Sequence, residues 1–165
     1  MAAVRGVMGR VITVSDRAAA GEREDRSGPL AAELLAAHGV TADVVVVPDG
    51  HLSVRAAIVE AVEAGARVVF TTGGTGVGPR DLTPEATAEV IEARLDGVAE
   101  EIRRVGSPHV PTAVLSRGLV GVTGRGAQAA LVVNAPGSTG GVRDAVTVVG
   151  PLIGHILDQL AGGDH

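Results

Sequence analysis

The chain is 165 residues and 16.4 kDa, about one domain long, and its 45% hydrophobic content is nearly all aliphatic, with one Phe and neither Trp nor Tyr. A net charge of −5, no basic face and no aromatic platform for bases exclude nucleic acid as a partner. Cys and Lys are absent, which excludes disulfides, thiolate chemistry, cysteine-held metals, Schiff bases and the P-loop lysine, and leaves Arg as the sole cationic side chain for phosphate.

Met1–Arg10 holds Arg5 and Arg10 but no apolar run suited to a signal peptide. Val11–Val14 is a short β-branched strand ending in Ser15-Asp16-Arg17, followed by a polar loop from Ala18 to Arg26. Ser27-Gly28-Pro29 opens a helix with apolar positions at Leu30, Leu34 and Leu35, and Gly39 stops it. Asp43–Val47 contains four consecutive valines, a run expected for a strand buried on both faces, and Pro48-Asp49-Gly50 closes it.

Ser53 is the expected cap of a helix through Ala64, with Ala57, Ile58, Ala61 and Val62 on its apolar face. Val68–Thr71 is a third strand running into Thr72-Gly73-Gly74-Thr75-Gly76. Thr83 before Pro84-Glu85 reads as the N-cap of a helix to about Leu95, and a second helix spans Gly97 to Val105. After a turn-rich connection at 106–111, Ala129–Val133 is a buried strand ending in Asn134-Ala135-Pro136-Gly137-Ser138. Helical sequence from Gly141 to Leu160, broken near Gly150-Pro151, completes the chain and is too interrupted to span a bilayer. Alternating strands and helices predict a single α/β domain over 1–165, a three-layer sandwich with a mostly parallel central sheet, in a cytoplasmic protein with no membrane partner.

Ligands of open α/β sheets bind beyond the carboxyl ends of the strands. Parallel strands would bring Ser15-Asp16-Arg17, Pro48-Asp49, the Thr71–Asp81 loop and Asn134–Ser138 to one rim. Four glycines in Thr71–Gly78 allow backbone N–H groups to form a nest for phosphate oxygens, although a plain tight turn gives the same pattern. The loop matches neither the P-loop nor the Rossmann fingerprint. Asp49 and Asp81 are candidates to hold Mg²⁺ beside a phosphate, the alternatives being a Pro-Asp-Gly turn for Asp49 and a cap or turn for Asp81. Asp16 is a weaker candidate, Ser116-Arg117 offers a hydroxyl and a guanidinium, and the histidines at 38, 51, 109, 155 and 165 have no ligand spacing.

T-T-G-G-T-G-V-G-P-R-D-L-T-P-E-A at Thr71–Ala86 resembles the molybdenum cofactor biosynthesis family. The similarity is to its small MogA- and MoaB-type members and to the G domains of plant and animal molybdenum insertion proteins. It continues through Val14–Arg17, Asp25-x-Ser27-Gly28-Pro29, Pro48-Asp49, Leu115–Gly118 and Asn134-x-Pro136-Gly137-Ser138. The resemblance implies molybdopterin adenylyltransferase activity: the terminal phosphate of molybdopterin attacks the α-phosphorus of ATP, giving adenylyl-molybdopterin and pyrophosphate. It further implies Mg²⁺, a homotrimer and a molybdenum insertion enzyme that takes the product. By motif match the essential acids fall on Asp49 and Asp81, which would also hold the metal. Phosphate and substrate contacts fall on Thr72, Gly73, Gly74, Thr75, Gly76, Ser116, Arg117, Asn134, Pro136, Gly137 and Ser138. A non-catalytic molybdopterin-binding paralogue and a generic nucleotide-binding scaffold are the competing readings.

Overall fold

The computed structural model describes residues 6–164; Met1–Arg5 and His165, with the N-terminal segment and the last histidine considered above, lie outside the described residues. Strand β1 (Val7–Val14) begins four residues earlier than its β-branched run. Gly9 permits this, because a Cβ there would sit 2.6 Å from Val40 Cγ1 and 3.2 Å from the Val68 carbonyl. A short helix α1 (Asp16–Ala19), capped by Ser15, precedes α2 (Ser27–Ala36), and Gly39 at φ 81° turns the chain into β2 (Val40–Val47). Then follow α3 (His51–Glu63), β3 (Val68–Thr72), α4 (Thr83–Ala88), β4 (Ala93–Arg94) and α5 (Asp96–Gly106). A 3₁₀ turn (Pro111–Leu115), β5 (Val120–Val122), β6 (Leu131–Ala135), α6 (Thr139–Val149), a 3₁₀ turn (Gly150–Leu152) and α7 (Ile153–Leu160) complete the fold.

Among the described residues six strands form one sheet, in the order β2-β1-β3-β6-β5-β4. The first four are mutually parallel, and β5 runs antiparallel to both β6 and β4. Alternate side chains of each central strand enter opposite cores, as the period of two requires. Val11, Val68, Phe70, Leu131 and Val133 pack under Leu35, Ile102, Val142 and Ile153 of α2, α5, α6 and α7. Ile12, Val69 and Val132 pack under Val54, Ile58 and Ala86 of α3 and α4. The result is the expected three-layer, mostly parallel α/β sandwich. Among the described residues no helix is long and apolar enough to cross a membrane.

Local expectations need correction where tertiary pairing prevails over sequence pattern. The valine-rich β2 is a sheet edge, not a strand buried on both faces, and Val46 stays 40% exposed. Ser53 lies inside the first turn of α3, where its hydroxyl donates to the Pro48 carbonyl at 2.7 Å, and Gly50 holds the cap position. Thr83 likewise does not cap α4; it is fully buried and donates to the Gly73 carbonyl at 3.0 Å. Helix α4 ends at Ala88, short of Leu95. The chain beyond is drawn into the sheet by Glu92 and Leu95 amides, each donating at 2.8 Å to β5 carbonyls. Strand β6 runs two residues later than expected, Leu131–Ala135 in place of Ala129–Val133, which places Asn134 and Ala135 inside the sheet.

Candidate active site at the carboxyl rim

The four parallel strands end on the same side of the sheet, and their following loops enclose a cavity of about 690 Å³. Of the residues selected from sequence, Asp49, Asp81, Thr72, Gly73, Gly74, Thr75, Gly76, Gly137 and Ser138 line it. Ser116 and Pro136 instead border an adjoining, more apolar cavity of about 460 Å³, which shares Thr75, Gly76 and Ser138 with the first. Asn134 and Arg117 border neither among the described residues.

The glycine loop owes its path to close backbone contacts. Gly73 (φ 107°) donates to the Ala135 carbonyl at 3.0 Å, and a Cβ on it would meet the Val14 carbonyl oxygen at 2.2 Å. Gly74 (φ 68°) has equally little room, since a Cβ would lie 2.3 Å from Thr83 Oγ1. Thr72 Oγ1 donates to the Pro136 carbonyl at 2.8 Å, tying the β3 loop to the β6 loop. Among the described residues no protein acceptor takes the N–H of Gly74, Thr75 or Gly76. Unclaimed amides in a glycine-rich turn are the donors an anion requires. Across the cavity, Ser138 caps α6 by accepting from Gly141 N–H at 3.0 Å, so a positive helix end adjoins the loop.

Asp49 and Asp16 exchange hydrogen bonds across the β1 and β2 loops. Asp16 N–H donates to Asp49 Oδ2 at 2.9 Å, and Asp49 N–H donates to Asp16 Oδ1 at 3.1 Å. Arg80 completes the junction from the β3 loop. Its Nε and Nη2 donate to Asp16 at 2.6 and 2.9 Å, and Nη2 also donates to the Asp49 carbonyl at 2.8 Å. The Arg80 hydrogen bond holds the Asp16 carboxyl below the ordinary carboxylate range, and Asp16 in turn raises Arg80. Asp16 is therefore paired within the protein. Of the carboxylates lining the cavity, Asp25 engages both oxygens and Glu24 pairs with Arg26, while Asp49 and Asp81 face the cavity with one oxygen each engaged.

Asp81 Oδ2 accepts from Gly78 N–H at 3.0 Å, while among the described residues Oδ1 of Asp49 and of Asp81 accepts no hydrogen bond. No cluster of three or more His, Asp or Glu that could enclose a metal exists among the described residues. Two carboxylates lining one cavity fit the needs of Mg²⁺, which keeps much of its water and requires only one or two carboxylates.

Two residues carried in the sequence reading have other engagements. Asn134, 2% exposed, donates through Nδ2 to Thr71 and Thr87 Oγ1, both at 3.0 Å, and accepts from Leu119 N–H at 3.0 Å. Arg117 donates to the carbonyls of Gly76 and Asp81 and to Glu85. Arg80 was not singled out from sequence; its partner Asp16 is 64 positions away and no spacing links them. Arg23 and Arg26, also missed, line the cavity beside Asp25. Asp25 accepts from Gly28 N–H and Thr13 Oγ1 and so anchors the start of α2 at the rim.

Residues 10–155 match the family model described as "Probable molybdopterin binding domain". The chain is 39% identical over 164 residues to the molybdenum cofactor biosynthesis bifunctional protein of Synechococcus elongatus, covering 99% of this chain and 50% of that one. It thus spans about half the length of this relative. It is 38% identical over 148 residues to the molybdopterin adenylyltransferase of Pyrococcus furiosus, covering 89% and 87% of the two chains. Its structure is similar to that of a molybdopterin biosynthesis protein from Mycobacterium abscessus, with a TM-score of 0.86 and 43% identity over 93% of this chain and 96% of the other.

Proposed function

Since the chain belongs to the molybdopterin binding domain family, we propose that it transfers the adenylyl group of ATP to the terminal phosphate of molybdopterin. One observation carries the reading: Asp49, Asp81 and the unclaimed amides of Gly74–Gly76 meet in a single cavity. A phosphate oxygen of the pterin attacks the α-phosphorus, the bond from that phosphorus to the bridging β-phosphate oxygen breaks, and pyrophosphate leaves. The nucleophile is already an anion, so no general base is needed. What remains is alignment and neutralisation of charge.

Thr72–Gly76, Gly137 and Ser138 would hold phosphate through backbone and hydroxyl groups, and Arg23 and Arg26 stand at the same cavity. Ser116 and Pro136 border the adjoining apolar cavity, where Ser116 would meet the phosphate end of the pterin. Asp49 and Asp81 would hold Mg²⁺ against the phosphates, and that ion would neutralise their charge. The product anhydride is activated and requires a metal insertion enzyme to consume it. The extra length of the bifunctional relative is consistent with such a coupling. A homotrimer is part of the same reading. Exposed Val110, Val114 and Leu115, clustered at one 3₁₀ turn, support self-association.

The test is incubation of the protein with molybdopterin, ATP and Mg²⁺, with detection of adenylylated pterin and pyrophosphate. Binding of both substrates without either product would replace the enzyme by a non-catalytic molybdopterin-binding protein. Failure to bind molybdopterin would overturn both.

A further inference from the structure

We propose that Arg117 is a positioning residue for Asp81, not a ligand of phosphate; this rests on the proposed role of Asp81 in adenylyl transfer. Arg117 lies between the 3₁₀ turn and β5 and reaches across to the loop after β3. Its Nε donates to the Gly76 carbonyl at 2.8 Å and its Nη2 donates to the Asp81 carbonyl at 2.7 Å. One planar group thereby joins the two ends of the loop that carries the carboxylate. Its own N–H donates to the Thr75 carbonyl at 2.8 Å, which fixes the backbone from which the guanidinium extends.

The remaining guanidinium edge belongs to α4. Nη1 donates to Glu85 Oε1 at 2.6 Å and to Oε2 at 3.2 Å, so the positive charge is matched within the protein. Both side chains are about three-fifths buried (39% and 41% exposed), which shields the pair from solvent more than a fully exposed one. A phosphate would have to compete with this carboxylate, and Arg117 does not line the cavity of about 690 Å³ that holds the unclaimed amides.

The geometry inside the loop carries the constraint on to the carboxylate. Gly78 N–H holds Asp81 Oδ2 at 3.0 Å. A Cβ at Gly76 or Gly78 would approach that oxygen to 2.9 or 2.8 Å, so both glycines leave space for it. With the loop ends fixed by Arg117 and one oxygen fixed by Gly78, Asp81 Oδ1 remains for the cation that would accompany the reacting phosphates. Releasing the ends lets the carboxylate drift, while the Arg117 main-chain N–H still holds the Thr75 carbonyl and so keeps the amides of Gly74 and Thr75 placed for nucleotide.

The experiment compares Arg117→Ala, Arg117→Lys and Glu85→Gln with the wild-type chain in steady-state turnover, ATP calorimetry and amide hydrogen exchange. Positioning predicts a kcat loss of about a hundredfold for both Arg117 variants, the scale of a ~1 Å misplacement. It also predicts KM and ATP affinity within about threefold of wild type. Lysine should not rescue, because an ammonium cannot span Gly76, Asp81 and Glu85 as a planar fork does. Glu85→Gln should lower kcat in the same direction by a smaller factor, and exchange at Gly78 should rise in all three. Rescue of turnover by Arg117→Lys, or a raised KM at unchanged kcat, would overturn the proposal in favour of a phosphate contact. Unchanged kcat and unchanged Gly78 exchange in Arg117→Ala would remove any role. If wild-type protein makes no adenylylated pterin, the proposed function fails separately, and exchange at Gly78 still decides whether Arg117 pins the loop.

Discussion

At the scale of single residues, the rim pairs Asp16 with Arg80 and Glu85 with Arg117 and leaves Asp49 and Asp81 without a cationic partner among the described residues. Arg80 closes on Asp16, the Asp16 N–H orients the Asp49 carboxylate, and the Arg80 hydrogen bond, aided by the Asp49 N–H, depresses the Asp16 carboxyl. A depressed folded-state value means this contact favours the folded protein above the ordinary Asp range, and the effect is lost as pH falls through the lowered value. Carboxyl chemical shifts followed through an acid titration should place Asp16 below an ordinary Asp, and Arg80→Ala should return it toward that range. An unshifted midpoint in the wild-type chain would show that the contact does not persist in solution. Glycine 74 is a sharper case. Gly74→Ala introduces an unfavourable left-handed φ and a clash with Thr83 Oγ1, but Thr83→Ala removes the clashing oxygen and leaves Thr83 Cβ at 3.3 Å. Urea unfolding should therefore show Gly74→Ala to be less costly on the Thr83→Ala background than alone. Additive costs would mean that the loop relaxes away from Thr83. Much of this was legible in the sequence: Gly73–Gly76, Asp49 and Asp81 stand out as turn residues or unpaired acids after strands. Arg80 and the buried task of Thr83 were not, because their partners are distant in the chain or hidden in a backbone carbonyl.

At the scale of elements, the strands that carry the rim were read more reliably than their ends. Hydrophobic runs locate β1, β2, β3 and β6, but the run alone does not distinguish a central strand from the edge position that β2 occupies. The three-residue β5, with Gly121 admitting Ala93 and Ile91 at close range, carries too little pattern to be seen, and without it β4 looks like more helix. The two-residue shift of β6 along the chain has the largest consequence, since it converts Asn134 from a loop residue into a buried link. Its amide joins β6 to Thr71 of β3, Thr87 of α4 and the Leu119 amide before β5. Asn134→Ala should cost about 2–3 kcal/mol, because the Leu119 N–H and two threonine hydroxyls lose their partner. The urea midpoint should fall with the slope unchanged, and calorimetric affinity for ATP should stay close to wild type. A stable variant with weak ATP binding would instead make Asn134 a ligand contact.

At the scale of the whole molecule, the parallel order β2-β1-β3-β6 determines where the candidate site lies. Asp49 follows β2 and Asp81 follows β3, two strands separated only by β1, so both carboxylates face one cavity without help from another copy of the chain. An assembly of three subunits would then hold three complete sites. Asp49→Asn and Asp81→Asn should each lower kcat by roughly a hundredfold or more, the scale for removing one group that stabilises charge in a transition state. The two variants can be co-purified through different affinity tags, which isolates mixed oligomers from homogeneous ones. Each cavity in a mixed oligomer still carries one amide in place of a carboxylate, so turnover should stay at the level of the single variants. Were a site shared across a subunit boundary, some cavities would recover both carboxylates on mixing. Turnover approaching a quarter or more of wild type would establish that arrangement and refute the local site. Light scattering of the same samples supplies the needed control, because a monomer would contain no boundary across which to share.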